Sequence, residues 1–165
     1  MVSTRKAAAA ALAVLVLVGA ALLWPTRERQ VKGAAKAVAA WMSKEEGEGA
    51  LRMAQRASEA PRHFADPCVV QAEGYGFEGR FSPQDLSRYA LGAWSRVAAL
   101  KVRLYDMRVT FTERNLAEVT ATARIRVRDR EGEPSDETHE ITCLMARQDG
   151  RWLLKEARLV QVLER

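Results

Sequence analysis

Few side chains in this sequence are equipped for chemistry, and they are widely spaced. Histidine occurs only at His63 and His139 and cysteine only at Cys68 and Cys143, so neither type shows the close spacing by which metal ligands converge, and nothing here calls for a metal or a cofactor. Proton transfer is better provided for. Residues 101–112 alternate, with Tyr105, Met107, Val109 and Phe111 on one side and Asp106, Arg108, Thr110 and Thr112 on the other. By the same parity His139 shares a face with Ile141, Cys143 and Met145. A phenol and an imidazole on apolar strand faces suit general acid–base work where a partner stands within hydrogen-bond reach, and ordinary packing where none does. Cys68 and Cys143 could close a disulfide, whose loop-closure entropy would be worth roughly 4 kcal/mol. Equally, Cys143 between Ile141 and Met145 reads as a buried thiol.

Cations form the other candidate. Arg124, Arg126 and Arg128, continued by Arg130, project from one face of a strand and make a basic comb. Threonines interleave with them and glutamates lie nearby, which describes a solvated outer face first and a partner-binding face second. Nucleic acid is not expected, because the formal charge of +5 includes Arg5 and Lys6 at the extreme N-terminus and the remainder carries only +3. Anionic lipid headgroups are a further candidate for the comb.

The comb belongs to the clearest element of the chain. Residues 116–129 place Val119, Ala121, Ala123, Ile125 and Val127 on one face and Thr120, Thr122, Arg124, Arg126 and Arg128 on the other, the signature of a half-buried antiparallel strand. Residues 113–115 connect it to the alternating stretch before it, making a hairpin. A polar loop over residues 129–137 leads to a third strand, residues 138–148, and the Asp149–Gly150 turn to a fourth, residues 151–162. Leu153, Ala157 and Val160 also fit a helix, and the preceding turn decides for strand.

Upstream the periodicity is helical. Ala34, Val38, Trp41 and Met42 form a stripe over residues 27–44, and Leu51, Ala54 and Ala57 another over residues 50–59, ended by Pro61. Ser82 predicts an N-cap, with Pro83 at the first helical position and Asp85 in the first turn, and Leu86, Tyr89, Ala90, Ala93, Trp94 and Val97 line the helix that follows. Cys68 to Val70 reads as a short strand, and residues 73–79, EGYGFEG, as a turn or irregular edge carrying Tyr75. Helices followed by hairpin-linked strands predict an α+β domain in which a curved antiparallel sheet wraps the helices. At 165 residues one core is expected.

Before all of this stands an apolar run. Residues 1–6 are a short basic leader and residues 7–24 are uninterrupted by charge, long enough to span a bilayer. The expectation is a retained signal anchor in the cytoplasmic (inner) membrane with residues 27–165 on the periplasmic or extracellular side; a cleaved signal peptide would make the domain a secreted one.

The order of elements, and above all the closing DGRWLLKEARLV of residues 149–160 with its tryptophan-bearing strand after a DG turn, resembles the nuclear transport factor 2-like superfamily, with its SnoaL-like and ketosteroid isomerase-like groups. That resemblance implies a cone-shaped fold with a pocket between sheet and helices, and frequent homodimers. It implies no single chemistry, since such proteins include isomerases, dehydratases, cyclases, transport adaptors and membrane-anchored assembly scaffolds. Within such a cone Tyr105 and His139 would point inward, Tyr75 would close the mouth, and Trp41 would either stack on a small hydrophobic ligand or pack in the core. The expected function is a membrane-tethered, non-catalytic binding or assembly-scaffold domain with a protein partner; the alternative is an isomerase- or dehydratase-like enzyme using the pocket.

Overall fold

The computed structural model describes residues 26–72, 75–132 and 134–160. The leader and the apolar run, residues 1–24, lie outside the described residues. Among those described, no helix is long and apolar enough to cross a membrane. The elements in chain order are α1 (Arg27–Met42), α2 (Ala50–Ala57), a short 3-10 turn (Ala60–Arg62), β1 (Phe64–Ala72), β2 (Phe77–Phe81), α3 (Pro83–Arg96), β3 (Val97–Glu113), β4 (Leu116–Asp129), β5 (Ser135–Gln148) and β6 (Arg151–Val160).

Local chemistry explains most boundaries. Ser82 Oγ accepts from the Asp85 amide while the Asp85 carboxylate accepts from the Ser82 amide, a reciprocal capping box with Pro83 beside it. Asp149 and Gly150 both adopt left-handed backbone, φ 48° and 79°, the tight turn whose twist matches antiparallel strands.

The six strands form one sheet in the order β2-β1-β6-β5-β4-β3. From β3 to β6 the strands are joined by hairpins and pair antiparallel, as expected. One parallel pairing is added: β1 runs alongside β6, with Ala72 opposite Leu159. No hairpin joins those two strands, so chain connection does not dictate their relative direction.

On β4 the alternation holds, with Ala117, Val119, Ala121 and Ala123 buried. On β3 it breaks. Leu104 lies opposite Ala123 and Tyr105 opposite Thr122, but the ladder then slips and resumes at Arg108 opposite Thr120 and Val109 opposite Val119. Asp106, at φ 51°, supplies the extra residue of this bulge. An inserted residue exchanges the two faces of everything before it. Leu100, Val102 and Leu104 therefore face inward, and Tyr105 faces outward.

The inner face of the sheet and the helices enclose the core. Trp94, Met145, Val31, Val119 and Cys68 are its largest wholly buried side chains. Trp41 meets Phe64 at 4.9 Å and Trp94 at 5.5 Å, both edge-on, and the indole N–H groups of Trp41 and Trp94 donate to the carbonyls of Arg56 and Met42 at 2.7 and 2.9 Å. Burial of each such ring contributes on the order of 2–3 kcal/mol. Arg56 lies over the Trp94 ring at 4.5 Å and is held at 2.7 Å by Glu48, whose side chain is 2% exposed. Lys44 is buried just after α1, where the chain bridges to Leu100 of β3, its ammonium donating to the carbonyls of Val97 and Ala98 at 2.6 and 3.2 Å.

Candidate functional site

Three side chains from two parts of the chain meet at the inner edge of the sheet. Parallel pairing aligns Ala72 with Leu159, and Leu159 lies opposite Ile141, so the end of β1 comes level with the middle of β5 across the intervening β6. The turn that follows carries Tyr75 to the start of β5. There the Tyr75 hydroxyl donates to Glu137 Oε2 at 2.7 Å and stands 3.1 Å from His139 Nε2. His139 Nε2 lies 3.0 Å from the same Glu137 oxygen, and the two rings meet edge to face at 5.8 Å. His139, opposite Ala123, is buried; Tyr75 is 53% exposed.

Tyr75 has one proton and gives it to Glu137, and the His139 tautomer that carries its proton on Nε2 donates to the same oxygen. Glu137 is the common acceptor, and the hydrogen bond from Tyr75, then that from His139, holds its carboxyl below the usual range. In turn the Glu137 hydrogen bond raises the Tyr75 phenol above its ordinary value. Such a cluster can act as a latch tying the β1–β2 turn to β5. It also has the components of an acid–base group, an imidazole oriented by a carboxylate beside a phenol.

Of the four residues expected to line a pocket, the fold thus brings Tyr75 and His139 together. Tyr105 is displaced to the outer face by the bulge at Asp106. Trp41 packs in the core, 5% exposed, with His63, Phe64 and Trp94 as ring neighbours. Glu137 was missed because it closes a polar loop in the sequence. The signal available was its spacing of two from His139, which puts both side chains on one strand face.

Of the two readings of the cysteines, the structure has the buried thiols and not the disulfide. Cys68 and Cys143 are free, buried thiols on β1 and β5, and β6 runs between these strands. Two strand spacings amount to roughly 10 Å, beyond the reach of a disulfide. Burial pushes both thiols up to about 12. Among the described residues no three His, Cys, Asp or Glu side chains group as metal ligands would.

The outer face is polar. Arg124 and Arg126 share Asp136, their Nε atoms each 2.8 Å from it, and Arg128 reaches Glu46 at 2.9 Å. Lys101 and Arg103 join the comb from β3, opposite Arg126 and Arg124 respectively. A depression of about 40 Å³ lies between Lys101, Arg103, Tyr105, Arg124 and Arg126. A wider, open one of about 260 Å³ is bordered by Asp106, Arg108, Thr120, Thr122, Glu140 and Thr142.

No protein-family model matches this chain, and no curated protein does either. Solved structures do match. A candidate scytalone dehydratase from Novosphingobium aromaticivorans aligns over 82% of this chain and 84% of its own with a TM-score of 0.64 and 14% identity. The type 2 hexachlorocyclohexane dehydrochlorinase LinA aligns over 81% and 83%, with a TM-score of 0.62 and 15% identity. A nuclear transport factor 2-like protein of unknown function from Prochlorococcus marinus aligns over 85% and 96%, with a TM-score of 0.60 and 9% identity. At such identities the likeness is one of architecture, shared by dehydratases and by proteins of unknown function alike. Helices first, then a curved, open sheet of hairpin-linked strands wrapped over them: this chain has the nuclear transport factor 2-like fold.

Proposed function

We propose that the chain is a membrane-tethered, extracytoplasmic binding or assembly-scaffold domain that performs no chemistry of its own. The observation that carries this reading is the filled interior. Where an enzyme of this fold would hold substrate between helices and sheet, Trp41, Trp94, Met145, Trp152 and Leu154 are buried against one another. Binding is then left to the surface. The apolar run of residues 7–24 supports the tether, since it is long enough to span a bilayer. Native mass spectrometry of the full chain released from neutral nanodiscs tests the proposal. Ligand-free monomers or homodimers are the expected result; a stoichiometric small molecule retained by the wild type would overturn it.

A second reading has one specific observation behind it. His139 is a buried histidine held against a carboxylate and a phenol, and the architecture is one shared with dehydratases. On this reading Glu137 orients the His139 imidazole and Tyr75, on its turn, admits a small hydrophobic substrate to the edge of the sheet. Loss of a retained molecule on His139→Ala would favour it over the scaffold.

A further inference from the structure

The outer face of β3 and β4 violates the usual pairing of charges across strands. Arg103 stands directly opposite Arg124, and Lys101 directly opposite Arg126, two like-charged pairs in succession where opposite charges would stabilise and like charges destabilise. One carboxylate, Asp136, serves this block of four cations, and it is engaged by Arg124 and Arg126. Lys101 and Arg103 are exposed and have no ion-pair or hydrogen-bond partner among the described residues. The bulge at Asp106 turns this part of β3 so that both cations, and the Tyr105 phenol, face the comb on β4 rather than the core.

Between these five side chains lies the depression of about 40 Å³, room for a group of a few heavy atoms such as a phosphate. A second copy of the same face is a poor occupant, since it would bring four more cations against these four. Residues 7–24 end two residues before α1 begins at Arg27, so a chain anchored by that run keeps its folded domain on a short leash at a lipid surface.

From this we infer that the β3–β4 outer face is a docking site for the phosphate groups of anionic phospholipids, held by Lys101, Arg103, Arg124 and Arg126 with Tyr105 at the edge of the depression. The inference rests on the membrane-tethered reading given above. Lipid phosphate relieves the like-charge pairs, so the site stabilises the folded domain when occupied and costs stability when empty.

Thermal unfolding of the full chain tests this, followed through its buried tryptophans in nanodiscs of phosphatidylcholine alone and of phosphatidylcholine with phosphatidylglycerol, each at low and high salt. We expect a midpoint higher in the anionic discs by roughly 5 °C at low salt, shrinking at high salt. The double variant Arg103→Gln/Arg124→Gln, which removes one of the two like-charged pairs and half of the four cations, should unfold no lower than the wild type in neutral discs and lose most of the lipid dependence. Arg80→Gln/Lys155→Gln, charges elsewhere on the sheet, should keep it. Equal midpoints in the two kinds of disc, with the chain still embedded, overturn the docking site and leave the tether standing. Recovery of the chain outside neutral discs overturns both. An equal rise produced by free glycerol phosphate in neutral discs assigns a soluble anion instead, and a rise undiminished in Arg103→Gln/Arg124→Gln puts the effect elsewhere; either overturns the lipid assignment.

Discussion

Tyr105 stands opposite Thr122 across the β3–β4 ladder, on the polar side of a sheet whose apolar side holds Val109, four residues further along. Straight alternation would put both on one face. Asp106 makes the difference, and its left-handed backbone, φ 51°, is a conformation that aspartate tolerates and β-branched residues resist. Asp106→Gly should therefore fold with stability unchanged or slightly raised, whereas Asp106→Val should lose about 1–2 kcal/mol. Urea denaturation of the two variants measures this. Equal stabilities would mean that the bulge is not held by the conformation of this residue.

The same residue shows where the sequence stops being legible. The hairpins, the Ser82 cap and the alternation of β4 are set by neighbours a few positions apart, and the sequence can be read for them. A bulge depends on one residue's backbone angle and leaves the hydrophobic pattern on either side intact, so alternation from Phe111 back to Tyr105 runs through it without a break. The meeting of Tyr75 with Glu137 and His139 is harder still. It depends on β1 pairing parallel to β6, a contact between distant segments that no local spacing encodes. Trp41 is a milder case: its helical stripe announced a buried face, and only the positions of Phe64 and Trp94 show that other side chains fill the space beside it.

Glu48 and Arg56 form the ion pair in this fold whose loss should matter most. Its carboxylate is almost wholly buried and its guanidinium lies over Trp94. Removing one partner leaves the other charge in a poor solvent with no counter-ion, so Glu48→Ala should destabilise by about 3 kcal/mol. Arg88→Ala removes an exposed pair with Asp85 and should cost less than about 1 kcal/mol. Denaturant midpoints of the two variants, compared at constant slope, check the contrast.

Cys68 and Cys143 are thiols that stay protonated at neutral pH, because burial pushes both to about 12. In the native chain prepared without reductant, both should react with a maleimide only as fast as the domain opens. In denaturant both should label at once. Rapid labelling of either in the native state would place it nearer the surface than the structure does, and failure to label after unfolding would mean that they had been oxidised.

The hydrogen bond from Tyr75 to Glu137 makes the stability of this edge depend on pH at both ends of the scale. Glu137 is held below its ordinary value of 4.5 in the folded chain, so its contribution is fully present above about that pH and is lost as the pH falls through the lower, folded value. Tyr75 is held above its ordinary 10.0, so its contribution is present below that pH and is lost as the pH rises through the folded value. Tyr75→Phe removes the donor. Its expected effect is to move the Glu137 titration, followed by carboxyl carbon resonances, back upward toward 4.5, while the Cys68 and Cys143 environments and the overall fold are retained. An unmoved Glu137 would show that His139 alone holds the carboxylate. In that case Tyr75 would be free to leave the cluster, and the turn that carries it would be a swinging edge rather than a latched one.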